Sequence, residues 1–204
     1  MSDEQLLFDY AAFGISMLEA NSMDPQQTSL LRVGYRALHQ SYGVQNASTA
    51  SQVTLSHSDI GVVVGVQVSG HRGSDKPNAF SATGTSASIT AGRLSYALGL
   101  VGPCYSVDTA CSSALAALHI CVNTVTVLRE CTLGLAVGCT SLSEVANTAT
   151  SIGGMLSLHG RCHTFDKRAD GYCRGEGCAA FSVISKHDKK TEHTPCVSIL
   201  GSAV

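Results

Sequence analysis

Val107-Asp108-Thr109-Ala110-Cys111-Ser112-Ser113 sets a thiol where a short strand-like run gives way to a helix-forming one. The first amides of a helix have no intrahelical acceptor, and the aligned peptide dipoles leave that end partly positive. A cysteine there is favoured as a thiolate, the form that attacks a carbonyl carbon, and the same amides can hold the oxyanion of a tetrahedral intermediate. Acyl transfer through a thioester on Cys111, with its own backbone amide as part of the oxyanion hole, is the chemistry these residues suit. Without context, a single cysteine is more often a small buried packing residue than a nucleophile.

The other reactive residue types add no second site. His119 lies two helical turns beyond Cys111, about 12 Å along the axis at the usual helical rise, too far for direct proton transfer. His159 and His163 flank Arg161 in a loop and read as surface groups. Gly175-Glu176-Gly177 lacks the lysine of a phosphate-binding loop, so Glu176 reads as structural. Nine cysteines, an odd number, read as reduced thiols rather than a disulfide framework. No CxxC pair exists, and Cys162, His163, Cys173 and Cys178 make no matched finger-like spacing, so no metal site is expected. Cys121, Cys131, Cys139, Cys178 and Cys196 are expected to pack.

The elements that must position Cys111 can be read outward from it. Gly102-Pro103 leads into a strand over Cys104–Asp108. From Ser112 onward the apolar residues run round the whole helical circumference, which predicts a helix buried on all sides. Upstream, Asp24-Pro25-Gln26-Gln27 is a helix start, with Asp24 as cap, Pro25 in the first turn and Gln27 completing a capping box. Leu30, Leu31, Val33, Ala37, Leu38 and Tyr42 give that helix one apolar face, and Gly43 a stop. Residues 45–58 read as a polar surface connection and 71–78 as a loop. The β-branched run Gly61–Val66 predicts a strand covered on both faces. A helix is expected over Ile89–Leu98, and further strands over Leu133–Val137, Ala179–Ile184 and Val197–Leu200. Alternating strands and helices predict a layered α/β fold.

Composition excludes several classes. The 204 residues are 44% hydrophobic and only 14% charged, with 20 glycines and a formal net charge of −2, which suits an α/β enzyme and offers no basic surface for nucleic acid. Ser2, Asp3 and Glu4 break the order of a secretory signal. Gly, Ser, Thr and charges interrupt every candidate membrane span. A cytoplasmic protein with no membrane partner is the expectation.

Gly102-Pro103-Cys104-Tyr105-Ser106-Val107-Asp108-Thr109-Ala110-Cys111-Ser112-Ser113-Ala114-Leu115 closely resembles the active-site signature of β-ketoacyl synthases of the polyketide and type I fatty-acid kind. Phe13–Ser16, Met23–Gln27, Ala82–Thr85 and Arg93–Leu100 resemble the family's earlier signatures. Gly154–Ser157, Gly160–Cys162, Thr164–Asp166 and Ala169–Gly177 follow in the family's order. Cys139, where a second glycine is usual after Gly138, and Ala179 depart from the pattern.

The resemblance implies a thiolase-like layered α/β/α/β/α fold, of which residues 1–204 would carry the first repeat only, incompletely, as a partial N-terminal domain. The family's first strand and C-terminal half are expected to be missing. It further implies that Cys111 accepts an acyl group from phosphopantetheine on an acyl carrier protein, for decarboxylative Claisen condensation with a malonyl thioester. No cofactor is bound directly and no nicotinamide is required. Two family histidines, which polarise the thioester carbonyl and assist decarboxylation, would lie in the missing half, leaving a fragment incompetent for the full reaction. The alternative is a noncatalytic dimerisation or acyl-binding remnant. A homodimer is expected, paired through the Cys104–Asp108 strand.

Overall fold

The computed structural model describes residues 8–41, 55–70, 76–185 and 197–203. In chain order its elements are α1 (Met17–Ala20), α2 (Pro25–Ser41), β1 (Ile60–Val66), α3 (Ser81–Gly84), α4 (Ala87–Leu98), β2 (Cys104–Val107), α5 (Ser113–Asn123), β3 (Leu133–Thr140), α6 (Glu144–Ile152) and β4 (Gly177–Ile184). The strands form one sheet in the order β2-β1-β3-β4. β1 runs parallel to β2 and β3, and β4 closes the sheet antiparallel to β3.

The two faces of β1 explain its unbroken apolar run. Ile60, Val62, Val64 and Val66 join Leu30, Leu31, Leu38, Leu94 and Leu98 in a core between the sheet and helices α2 and α4. Val63 turns the other way, into a smaller core with Ala117, Cys121, Val125 and Ala136 beneath α5. Leu30, Leu31 and Leu38 have no exposed surface, and each such burial is worth about 1.5–3 kcal/mol.

Helix α2 begins as expected, with Asp24 Oδ1 accepting the Gln26 amide at 2.8 Å. Gln27 does not close a capping box. Its side chain is fully buried, and Nε2 donates across to the Thr83 carbonyl at 3.0 Å, a tertiary bond in place of a local one. Gly34, a cost in an isolated helix, makes room for tight packing here: a Cβ on it would lie 2.8 Å from Leu94 Cδ2 and 3.2 Å from Leu135 Cδ2. Tyr42, Gly43 and most of the 45–58 connection lie outside the described residues, as do Cys196 and the start of the 71–78 loop.

Three expectations are overturned. Helix α5 buries only Ser113, Ala117 and Cys121, at spacing four, while Leu115 is 62% exposed. One sheet can cover only one side of a helix, and no layer lies over the other among the described residues. Val197–Leu200 forms no strand. Finally, the apolar run is longer than the sequence pattern suggests. The turn before α5 and a wider turn at Thr124–Leu128 continue it, so Ala110–Leu128 is long and apolar enough to cross a membrane by length and composition. Here it lies along the sheet. Helix α6 was not anticipated; Ser143 caps it by accepting the Ala146 amide at 3.2 Å.

Candidate active site

Parallel strands β2, β1 and β3 end on the same edge of the sheet, and Cys111 stands at that edge, on a turn between β2 and α5. Ala110–Ser112 forms one tight turn before the helix proper, so the cysteine precedes the first α-helical residue by two positions. Ala110 has φ 55°, a left-handed conformation that costs a residue with a Cβ about 1–2 kcal/mol. Four hydrogen bonds hold it. Asp108 Oδ1 accepts the Ala110 amide at 2.9 Å. Ser113 Oγ accepts the Thr109 amide at 2.8 Å and donates to the Ala110 carbonyl at 2.7 Å. Ser112 Oγ donates to the Thr109 carbonyl at 2.8 Å. The polar residues around the cysteine are thus spent on backbone geometry, and the Cys111 side chain is left exposed.

The sheet below is shaped to receive this turn. Register pairs Gly61 with Gly134 and Gly65 with Gly138; Gly65, Gly134 and Gly138 lie bare beneath α5, while Gly61 faces Cys131 and Pro103. A Cβ on Gly65 would meet the Ser113 carbonyl carbon at 2.4 Å, and one on Gly138 the Ala114 Cβ at 2.5 Å. The first turn of the helix therefore rests directly on sheet backbone, which fixes the height of Cys111 above the sheet edge.

A second network braces α4, the helix flanking β2. The buried Arg93 guanidinium pairs with Glu19 through Nη1, and its Nε donates to Gln27 Oε1 at 3.1 Å. One arginine so ties α1, α2 and α4 together. Sequence reading included Arg93 within a resembling segment without seeing this role, since its partners lie far off in the chain.

The remaining residues singled out from the sequence fall where their chemistry is structural. His119 Nδ1 lies 3.0 Å from Ser202 Oγ and its Nε2 2.9 Å from Asn123 Nδ2, so both ring nitrogens are engaged away from Cys111. His159 and Arg161 are exposed and His163 is half-buried, in the 156–172 loop. Glu176 Oε2 accepts the Leu142 amide at 3.2 Å, tying the start of β4 to the loop after β3. Among the described residues no group of three His, Cys, Asp or Glu side chains could hold a metal.

The buried thiols behave as packing groups. Burial, and then the nearby Cys131, pushes Cys121 up to about 12. Desolvation also raises Cys131 and Cys104. Such thiols supply little thiolate near neutral pH.

The family model described as "Beta-ketoacyl synthase, N-terminal domain" matches residues 1–189. The chain belongs to this β-ketoacyl synthase family. It is 38% identical over 201 residues to the non-reducing polyketide synthase adrD of Penicillium roqueforti, covering 97% of this chain and 8% of that protein. It is 39% identical over 204 residues to a phenolphthiocerol/phthiocerol polyketide synthase of Mycobacterium tuberculosis (strain CDC 1551 / Oshkosh), covering 97% of this chain and 13% of that one. The ketosynthase from module 6 of the bacillaene synthase of Bacillus subtilis 168 superimposes with a TM-score of 0.73 at 31% identity, over 92% of this chain and 32% of that structure. The oxazolomycin ketosynthase domain of Streptomyces albus JA3453 gives 0.73 at 27% identity, over 88% and 31%. This ketosynthase chain thus spans about a tenth of the curated relatives and a third of the solved domains. Its sheet and flanking helices are part of the thiolase-like α/β ketosynthase fold.

Proposed function

We propose that this chain is the nucleophile-bearing part of a ketosynthase condensing domain in polyketide or fatty-acid biosynthesis. The observation that carries the reading is the exposed Cys111, held on a strained, hydrogen-bonded turn at the end of β2, in a chain of this family. The Cys111 thiolate would attack the carbonyl carbon of an acyl thioester carried on the phosphopantetheine of an acyl carrier protein. The tetrahedral intermediate collapses as the phosphopantetheine thiol leaves, and the acyl group remains on Cys111. The Cys111 amide, in the turn before α5, is the donor this reading assigns to the oxyanion.

Condensation with a malonyl thioester asks for more: a carbanion must be supported as carbon dioxide departs. Among the described residues no histidine is hydrogen-bonded to Cys111, and His119 is held by Asn123 and Ser202. The acylation and condensation half-reactions should therefore separate in this chain. No metal or nicotinamide enters either step. The partners are the carrier protein, acyl and malonyl thioesters, and a second copy paired through β2, an edge strand with Cys104 and Tyr105 exposed.

The test is incubation of the chain with an acyl thioester, followed by peptide mass mapping. Label on Cys111 that vanishes in Cys111→Ala supports the reading. With malonyl carrier protein added, no β-ketoacyl product is expected. Acyl binding without covalent label would instead favour a noncatalytic acyl-binding module.

A further inference from the structure

At the end of β3, Cys139 stands directly opposite Cys178 of β4 in the antiparallel register. Directly opposed residues in such a ladder have Cα atoms about 4.5 or 5.5 Å apart, according to pair type. Both separations fall within the range of about 4.4–6.8 Å that a disulfide spans. Opposed residues also share a face of the sheet. Here it is the α2 face: the Cys139 thiol reaches the Gln26 carbonyl at 3.6 Å, and Cys178 packs against the same core. Cys139 is buried and Cys178 half-buried, so one sulfur of the pair can be reached from solvent.

We propose that Cys139 and Cys178 form a reversible cross-strand disulfide when the protein meets hydrogen peroxide. Cys178 attacks first: its sulfur takes one peroxide oxygen as the O–O bond breaks, giving a sulfenic acid and one water. Cys139 sulfur then displaces hydroxide from the sulfenic sulfur. The S–S bond forms, the S–O bond breaks, and the hydroxide leaves with the Cys139 proton as a second water. Two thiols are oxidised by two electrons and one hydrogen peroxide is reduced to two waters.

The order of attack follows from the surroundings. The hydrogen bond from the Cys139 thiol lowers the pKa of Cys178, and the positive charge of Arg32 acts in the same direction. The same interaction with Cys178, with burial, keeps the proton on Cys139. Since Cys139 has a single thiol proton, Cys178 and the Gln26 carbonyl share it. The other cysteine neighbours are less suited. Cys121 and Cys131 are buried, out of reach of an oxidant, and Cys162 meets Cys173 through the Cys173 backbone amide, at 3.2 Å. The proposal rests on strand register and is independent of the condensing reaction. Its consequence reaches the site, because the bond would tie β3 to β4 one residue from Gly138, on which Ala114 rests.

The test treats the folded chain with hydrogen peroxide, blocks remaining thiols, and maps non-reduced peptides by mass. The expected product is a Cys139–Cys178 peptide pair lighter by two hydrogens than the separate peptides and split by dithiothreitol. It should be lost in Cys139→Ser and, separately, in Cys178→Ser, and the wild-type chain without peroxide should yield both cysteines alkylated after denaturation. Recovery of both cysteines as alkylated thiols after peroxide, while Cys162 or Cys173 is oxidised, would overturn the proposal. So would a pair formed to the same extent in denaturant, since that pairing would not come from the sheet. The wild-type map decides even if a variant fails to fold.

Discussion

Gly65 and Ser113 meet backbone to backbone: a Cβ on Gly65 would sit 2.3 Å from the Ser113 carbonyl oxygen. No rotamer relieves such a clash, because the obstacle is the first turn of the helix that carries the nucleophile. Gly65→Ala should therefore lift or tilt that turn, at about 3 kcal/mol, the upper end of usual overpacking costs. For a chain of this size that is about 6–12 °C in Tm. Calorimetry checks the stability and thioester labelling checks Cys111. An alanine variant with unchanged Tm and labelling would show that the helix does not rest on β1.

Arg93 offers a separate test of what holds the flanking helix. Removing one partner of a buried ion pair costs about 3–5 kcal/mol, and Glu19 is 19% exposed, so Arg93→Met should cost about 2–4 kcal/mol. Replacing both, with Glu19→Leu, should recover part of the loss, because no lone charge is left behind. Urea unfolding of the two single variants and the double variant measures the coupling. Additive losses would mean that the pair contributes through packing alone.

Strand β1 and helix α2 were legible because their signals are local: the β-branched run at β1 and the Asp24 cap. Helix α5 was misread because an all-round apolar pattern reports what a helix needs, not what covers it. The turn at Cys111 was legible in outline only. The φ of Ala110 leaves no mark in residue type, whereas the glycines at spacing four in β1 and β3 were visible as letters; their meaning needed the register that brings Gly65 and Gly138 under one helix. Arg93 and Glu19 lie too far apart in sequence for any pattern to join them.

Asp170 makes the 156–172 loop sensitive to acid. The Ser157 hydroxyl, foremost, and the Leu158 amide stabilise its charged form and hold its carboxyl below the usual value of 3.8. A folded pKa below the unfolded one contributes stability that is present above about pH 3.8 and lost as pH falls through the lower folded value. Exchange of the Leu158 amide, relative to its intrinsic rate at each pH, should therefore accelerate only below that upper bound, and Asp170→Asn should abolish that dependence. Equal acceleration in both proteins would place the acid sensitivity elsewhere.

Thiol reactivity tests the site most directly. Cys121, pushed up to about 12, and the raised, desolvated Cys131 should react only at strongly basic pH, because the nucleophile is the thiolate. Cys104 is exposed as a residue, yet its thiol is desolvated enough to be raised as well. Among the described thiols Cys111, Cys162 and Cys173 are the remaining exposed ones, and the half-buried Cys178 is less open to the reagent. Of these only Cys111 stands at the start of a helix of eleven residues, whose dipole favours an anion. Limiting iodoacetamide near neutral pH should label Cys111 first, and Ala110→Val, which forces a β-branched residue into the left-handed region, should slow that labelling by distorting the turn. Preferential labelling of Cys104 or Cys162 with Cys111 untouched would remove the main support for its role as nucleophile.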